Sequence, residues 1–465
     1  MTAYDPARYQ ARTFFDRTSA FASGADSPRE FLERCIAEID AREATVRAFV
    51  ALNLEAARVA ADASAARWRA GNPLSAIDGM PVGIKDLLET RDMPTEFGCA
   101  AYAGNFPKRD NPAVWALREA GAVILGKTVT AELGGFQPGP TTNPFAVTRT
   151  PGGSSSGSAA AVAARFLPAA IGTQVGGSII RPAAFCGNVA LKPSQGGINR
   201  GERQATSMST HGVHAGCVED MWQVAIEIAQ RVGGDRGYPG LVGPHVTPDA
   251  TRPARVIVLE TQGWKRADPG AKQAYAGVLQ QLAEAGVGLV TREDNPLVET
   301  LEQCLRSART VASRITLWEN QWAQRNLVAE HPEGVSDRTK AGLAVAASMT
   351  PDDYRQLLRQ RQIAQAAHSA VAGEADAVIA LACPGPAPVW QGDPPDGPPV
   401  QNPTGDMVFN TPSSLLFAPA VNLPLLGVDG LPVGVQLMGQ QAEDAKITGF
   451  ARWILQHIEP VSVAQ

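Results

Sequence analysis

Two glycine- and serine-rich clusters, GGSSSGS and GGS, lie close together in the segment 150–182. Glycines let a backbone approach another group closely, and bare N–H groups beside a serine hydroxyl can stabilise an oxyanion while the hydroxyl attacks. The clusters flank an alanine-rich helix and a short apolar run of β type, which a flexible Gly/Ser linker would not contain. The segment therefore predicts a site where serine hydroxyls and backbone N–H groups meet.

A lysine and an aspartate, Lys85 and Asp86, end the apolar run MPVGI. Lysine acts as a base only when burial or a nearby positive charge lowers its pKa from ~10.4 toward neutrality. Lys85 is placed for such burial, and Ser178 in QVGGS offers a nucleophile beside backbone N–H donors. Two interpretations stay open: a Ser/Lys acyl-transfer site, or a surface ion pair of Lys85 and Asp86 that caps a strand.

Two further motifs match by spelling. Gly153–Gly157 reads GSSSG and fits the GxSxG nucleophile elbow with Ser155 at its centre. That elbow needs a strand before it, whereas AVTRTPG contains Pro151 and is typical of a loop, so a serine esterase using Ser155 is the less favoured alternative. The segment 121–128, GAVILGKT, spells a phosphate loop, but its apolar residues predict a strand and we reject nucleotide binding there.

Three motifs carry a family resemblance: GMPVGIKD, PGGSSSGSA and GTQVGGSIIRPAAFCG, in this order along the chain. They resemble the signature motifs of the amidase signature family, whose members use a Ser–cisSer–Lys triad. Matched position by position, they place the lysine at Lys85, the bridging serine at Ser154 and the nucleophile at Ser178. The two serines are 24 positions apart, which is also the family spacing.

The resemblance implies an amidase that hydrolyses a carboxylic amide through an acyl-enzyme on Ser178, with Ser154 as proton relay and Lys85 as general base. It also implies a cis peptide bond before Ser154 and no metal or organic cofactor. The oxyanion hole would consist of backbone N–H groups of Val175, Gly176, Gly177 and Ser178. The alternative within the family is an amidotransferase A-type subunit that makes ammonia from glutamine in a complex acting on aminoacyl-tRNA.

The substrate is not readable beyond a small-molecule amide. Candidate pocket walls are the loop 133–143 and the proline-rich segment 384–412. The aromatic side chains considered as lining of an apolar acyl or aryl pocket are Phe136, Phe145, Trp390 and Phe409, with core packing as the alternative for each. The candidate substrate-binding residues are Gly152, Gly153, Thr173 and Phe136. Three departures from the family motifs bear on substrate choice: Gln174 in place of Asp, Ser156 in place of Gly, and the guanidinium moved to Arg181.

Composition excludes several classes of protein. A formal net charge of −5 without a Lys/Arg block gives no electrostatic footprint for nucleic acid or a membrane surface. The six cysteines are widely spaced, which favours reduced thiols in a cytoplasmic protein, and we expect no export signal and no membrane span. His211 and His214 lack a third ligand, so we expect surface or core positions for them and no metal site.

The elements that must position these residues alternate between strands and helices, which indicates an α/β architecture. Ser27-Pro28 and Asp268-Pro269 are typical helix starts, longer helical regions are predicted near 297–327 and 351–372, and the stretch from Glu202 to Gly216 is largely polar. By resemblance we expect one large domain over 1–465, with a central mixed sheet covered by helices on both faces. Its parts would be a helical region (1–75), the signature core (76–220) and a more variable region returning to the sheet (221–465). Whether the chain forms a homodimer is left open.

Overall fold

The apolar runs of the sequence lie side by side as strands in the computed structural model, which describes residues 3–202 and 206–464. The strands of this described part are β1 (Phe49–Leu52), β2 (Pro81–Lys85), β3 (Val123–Thr128), β4 (Ala169–Gln174), β5 (Val189–Lys192), β6 (Thr210–Ala215), β7 (Arg255–Val258), β8 (Gly288–Val290), β9 (Ala377–Leu381), β10 (Ala420–Val428), β11 (Leu431–Met438) and β12 (Val461–Val463). All belong to one sheet, in the order β1-β3-β2-β4-β6-β5-β10-β11-β9-β7-β8, with β12 paired to β10.

The sheet is mixed, as expected. β2 runs parallel to both β3 and β4, whereas β6 is antiparallel to β4 and β5. The strands from the second half of the chain join the sheet where β10 pairs antiparallel with β5. At the far edge of the sheet, β7 pairs parallel with both β9 and β8. Since the carboxyl ends of parallel strands meet at one edge, the ends of β2 and β4 are brought together, which is where α/β proteins build their sites.

Helices occupy the connections between strands. In the described residues they are α1 (Thr18–Ser23), α2 (Pro28–Val46), α3 (Leu54–Arg69), α4 (Pro112–Glu119), α5 (Ser156–Ala163), α6 (Ile180–Cys186), α7 (Val218–Val232), α8 (Pro269–Glu284), α9 (Pro296–Leu305), α10 (Ala308–Glu330), α11 (Asp337–Ala347), α12 (Pro351–Ala370), α13 (Thr411–Leu415) and α14 (Asp444–His457). The predicted starts are confirmed, because the side chains of Ser27 and Asp268 each accept a backbone N–H of the first turn and proline follows. None of these helices is long and apolar enough to cross a membrane.

Both faces of the sheet are covered. Along β3, Val123 and Leu125 pack into one apolar cluster with residues of α2, α3 and α5, whereas Ile124 joins the larger cluster with α4 and α7. β4 divides in the same way, because successive side chains of a strand point to opposite faces. The α/β fold with helices on both faces of a mixed sheet is therefore confirmed.

Two elements differ from the sequence expectation. The polar stretch 202–216 contains the buried strand β6, whose His211 and His214 are only 7% and 0% exposed. Of the surface or core positions expected for these histidines, the core position is the one observed. The strand was not predicted because of their polarity. The helical region near 297–327 is two helices, α9 and α10, and α11 follows without having been predicted.

Candidate active site

Lys85 is the last residue of β2, and Thr173 lies next to the end of the neighbouring parallel strand β4. The loop that leads into α5 carries Ser154 and Ser155, and the turn between β4 and α6 carries Ser178. The carboxyl ends of two adjacent strands and the starts of two helices thus bring together residues that are up to 93 positions apart in the chain.

Three hydroxyl oxygens surround the Lys85 amine. Nζ lies 2.8 Å from Ser154 Oγ, 2.9 Å from Ser155 Oγ and 2.9 Å from Thr173 Oγ1. The Lys85 side chain is 0% exposed. Burial, and to a lesser degree the Arg181 guanidinium, holds the pKa of Lys85 well below its usual range. A neutral amine in contact with a serine hydroxyl is able to take up a proton.

The interpretation of Lys85 and Asp86 as a surface ion pair is wrong. Asp86 is 1% exposed and pairs with the buried Lys127 of β3, whose Nζ lies 2.8 Å from Asp86 Oδ1. The side chains of the consecutive residues Lys85 and Asp86 have different partners. Asp86 forms an ion pair with Lys127, whereas the Lys85 amine contacts the hydroxyl groups.

The Ser155 hydroxyl is buried and fully engaged. Its Oγ donates to the Thr173 carbonyl at 3.1 Å, and it accepts from the Thr173 N–H at 3.1 Å and from Lys85 Nζ. A hydroxyl has one proton and two lone pairs, so no capacity is left for a substrate. Ser155 is also absent from the cavity wall described below, and the segment before it is loop. These features contradict the esterase alternative, because a nucleophile elbow requires a preceding strand and an exposed hydroxyl.

Ser154 and Ser178 both line a cavity of about 160 Å³. Ser154 is 1% exposed, Ser178 is half-buried, and the peptide bond between Gly153 and Ser154 is cis. The Ser155 N–H donates to the Ser178 carbonyl at 3.3 Å, which ties the two serine-bearing segments together. The cavity wall therefore contains the Ser154 hydroxyl, which contacts Lys85, and the more accessible residue Ser178.

The turn that carries Ser178 is closed by the side chain of Gln174. Its Oε1 accepts the backbone N–H groups of Ile179 at 2.9 Å and Ile180 at 3.0 Å, while Nε2 donates to Ser413 and Ser414 of α13. An aspartate could accept the two N–H groups but could not donate, so the amide adds a connection to the C-terminal half of the chain.

The four residues 175–178 expected to form the oxyanion hole all line the cavity. Gly177 must be a glycine there, because a Cβ would lie 2.8 Å from both Arg181 Nη1 and Asn410 Oδ1. The turn can thus approach its neighbours closely and keep its backbone next to the cavity.

The remaining walls come from both halves of the chain. One side is the loop segment 133–136, and the other is formed by residues of α10 and α11, with Met407 from the proline-rich segment. Among the candidate substrate-binding residues, Thr173 and Phe136 line the cavity. Gly152 and Gly153 pack instead against Pro182 and Thr404.

The other aromatic candidates lie elsewhere. Phe409 is 0% exposed in the main core, Phe145 packs edge-on against Tyr4, and the Trp390 ring lies under the Arg338 guanidinium. None of the three is part of the cavity wall.

Sequence reasoning missed two features of the site. Thr173 holds Lys85 through its hydroxyl, in addition to lining the cavity, and the only signal was a threonine at the end of an apolar run. The buried Glu132 accepts from Ser336 N at 3.0 Å and from the hydroxyl groups of Ser336 and Thr339, and so fixes the start of α11 against the loop 133–136. Nothing local in the sequence links these segments, which are some 200 positions apart.

The amidase family model matches residues 30–448 of the chain. The curated relatives include a glutamyl-tRNA(Gln) amidotransferase A-type subunit of Chloroflexus aggregans, which is 33% identical over 474 residues, covering 92% of this chain and 93% of that protein.

Solved structures agree in fold over nearly the whole chain. The crystal structure of an amidase matches with a TM-score of 0.83 and 26% identity, covering 96% of this chain and 100% of that one. The native peptide amidase from Stenotrophomonas maltophilia matches with a TM-score of 0.76 and 25% identity, covering 96% and 97% of the two chains.

Proposed function

The chain belongs to the amidase signature family, a family of enzymes acting on amide C–N bonds, and from this premise we propose that Lys85, Ser154 and Ser178 form its catalytic triad. The observation that carries the proposal is the Lys85 amine, which is fully buried, lies 2.8 Å from Ser154 Oγ, and takes part in no ion pair within the described residues. A lysine that only stabilised the fold would be expected to face a carboxylate at this depth.

The hydrogen bonds of Lys85 support one direction of proton transfer. A neutral amine has two N–H bonds and one lone pair. Because the Ser155 proton is donated to the Thr173 carbonyl, Ser155 Oγ must accept one of these N–H bonds. Thr173 Oγ1 accepts the second, which leaves the lone pair for the Ser154 hydroxyl. In this arrangement Lys85 takes the proton of Ser154 while Ser154 takes the proton of Ser178.

The reaction then proceeds in two halves. Ser178 Oγ attacks the amide carbonyl, and the N–H groups of residues 175–178 stabilise the oxyanion of the tetrahedral intermediate, a contribution of about 3–4 kcal/mol for each donor. The C–N bond breaks, the relay returns a proton to the leaving nitrogen, and ammonia or an amine departs. Water, deprotonated through the same relay, attacks the ester on Ser178 and releases the acid.

The test is a panel of aliphatic, aromatic and peptidic amides assayed for ammonia or amine release. We expect Ser178→Ala to abolish release and Ser369→Ala, a substitution of an exposed serine on α12, to leave it unchanged. Release by Ser178→Ala at the rate of the unmodified protein would overturn the assignment of the nucleophile.

A second candidate function is supported by the amidotransferase relative. The sequence similarity to that protein covers 92% of this chain. In this second function the chain would be an amidotransferase A-type subunit that makes ammonia from glutamine within a complex, with Lys85, Ser154 and Ser178 in the same roles. Turnover by the isolated chain separates the two. An independent amidase hydrolyses simple amides alone, whereas a member of such a complex hydrolyses glutamine appreciably only when its partners are added.

A further inference from the structure

Arg181 connects three segments around the proposed triad. It lies on α6, three residues after Ser178, and is 3% exposed. Its Nη2 donates to the Gly153 carbonyl at 2.5 Å and to Thr404 Oγ1 at 3.2 Å, and its Nε donates to the Thr404 carbonyl at 2.7 Å. The Gly153 carbonyl belongs to the peptide that immediately precedes Ser154, so the guanidinium links the nucleophile segment to the relay segment.

The charge of Arg181 has no direct counter-ion. Within the described residues it takes part in no ion pair, and Asp406, the acidic group that acts on it, is paired with Arg266 at 2.9 Å and Arg309 at 3.5 Å. Burying a guanidinium without a carboxylate is energetically costly, and carbonyl acceptors offset only part of this cost. A methionine or leucine would fill the same volume without that cost, so packing alone does not explain the residue.

Resting on the triad proposed above, we propose that Arg181 is a positioning residue of the reaction: it fixes the Gly153 carbonyl, and with it Ser154, to the turn that carries Ser178, and it is a permanent positive charge near Lys85. The guanidinium thus acts on the geometry of the relay and on its electrostatics.

The geometric part follows from the reach of a proton relay. Transfer needs heavy atoms within about 2.6–3.2 Å, and a displacement of about 1 Å at a reacting group can cost about 100-fold in rate. Ser154 follows Gly153 directly, so loss of the hydrogen bond to the Gly153 carbonyl allows the hydroxyl to shift relative to both Lys85 and Ser178. Lysine cannot replace arginine here, because a single ammonium cannot reach Gly153 and Thr404 in the fixed fork geometry of a guanidinium.

The electrostatic part concerns the protonation state of Lys85. Arg181 lowers the pKa of Lys85 in addition to burial, and Arg181 itself stays charged, since burial lowers its pKa only to about 10. Lys85 in turn acts on two titratable groups of β6, His211 and His214. Burial lowers the pKa of each to about 3, so both are neutral and add no charge beside Lys85. Removing the positive charge at position 181 therefore raises the pKa of Lys85.

The experiment compares Arg181→Lys and Arg181→Met with Arg266→Met, a matched control that removes a charge from the Asp406 cluster without contact to Gly153. For each variant, kcat, KM and the pH profile of kcat/KM are measured with one neutral amide and one amide of similar size that carries a carboxylate. Thermal unfolding verifies that each variant is folded.

We expect Arg181→Met to lose about 100-fold in kcat with both substrates, with little change in KM, and to move the acid limb of the profile to higher pH. Arg181→Lys should keep the limb in place, because it retains the charge, but should lose kcat. Arg266→Met should resemble the unmodified protein. If Arg181→Met does not fold, the Arg181→Lys profile decides.

Two results would overturn the inference. Unchanged kcat and an unchanged limb would show that Arg181 is dispensable. A rise in KM confined to the carboxylate-bearing amide would mean that Arg181 binds the substrate. Activity that persists in Ser178→Ala would instead refute the triad itself, so the two failures are distinguishable.

Discussion

Two lysines on neighbouring strands are completely buried, and we expect their replacement by methionine to have opposite effects. Lys85 on β2 and Lys127 on β3 are each 0% exposed, and the parallel register places Lys127 opposite Ile84. Lys127 pairs with Asp86 at 2.8 Å and also donates to the Pro94 carbonyl at 2.9 Å. Lys85 contacts three hydroxyl groups and, at 3.5 Å, the Thr173 carbonyl.

The magnitudes follow from these partners. Lys127→Met leaves the Asp86 carboxylate buried without its cation, which costs about 3–5 kcal/mol. Because burial raises the pKa of Asp86, uptake of a proton offsets part of this, and we expect about 3 kcal/mol. Lys85→Met removes an amine that burial already disfavours in its charged form. Ser155 keeps both of its hydrogen bonds to the Thr173 backbone, and each hydroxyl loses a single partner, so we expect a change within about 1 kcal/mol. Its loss of activity should be about 100- to 10,000-fold, the range for a general base.

Denaturation in guanidinium chloride gives the free energy of unfolding of both variants, and ammonia release from an amide gives their activity. Lys85→Met should be a stable and inactive protein, and Lys127→Met a destabilised protein that is active while folded. Activity of Lys85→Met within tenfold of the unmodified protein would refute its role as the base. A loss of free energy of unfolding as large as that of Lys127→Met would refute the assignment of different structural roles to the two lysines.

Three further predictions concern the surroundings of the site. Ser155→Ala breaks the hydrogen bonds to Lys85 and to both backbone groups of Thr173, so it should destabilise by about 2–4 kcal/mol in denaturant melts while Ser178 can still be acylated. The pH profile of kcat/KM should rise with pH as Lys85, whose pKa is lowered, loses its proton, and should flatten again above that pKa; a rate that falls with rising pH in this range would contradict a neutral base. Glu132→Ala removes the hydrogen bonds that hold the start of α11 and should raise KM more than it lowers kcat, and Glu132→Gln should have a smaller effect of the same kind. An equal loss of kcat in both variants with unchanged KM would argue against a role of Glu132 in shaping the cavity.

The strands that hold the triad could be predicted because each is a short apolar run with its functional residue at one end. PVGIK ends at Lys85, and AAIGTQ leads into the turn that carries Ser178. Each of these motifs is a short continuous stretch of sequence, so its residue types and their spacing are enough to identify it. The expected cis bond before Ser154 is present, and the rejection of a phosphate loop is confirmed, since β3 occupies Val123–Thr128.

The cavity walls could not be predicted, because they depend on contacts between distant segments. α10 and α11 reach the site only through tertiary packing, and Glu132 bonds to the start of α11 without any sequence pattern. β6 was missed because polarity at His211 and His214 outweighs the apolar residues between them, although both side chains are buried. The partners of Arg181 likewise lie 28 and 223 positions away.

We infer that Ser178 is the nucleophile. Labelling with a phosphonate probe directed at active-site serines, followed by peptide mapping, tests it most directly, because Ser154, Ser155 and Ser178 lie within one short segment but differ in their hydrogen bonds. We predict label on Ser178, abolished in Ser178→Ala and strongly slowed in Lys85→Met. Label on Ser155 in the unmodified protein would contradict the proposed triad.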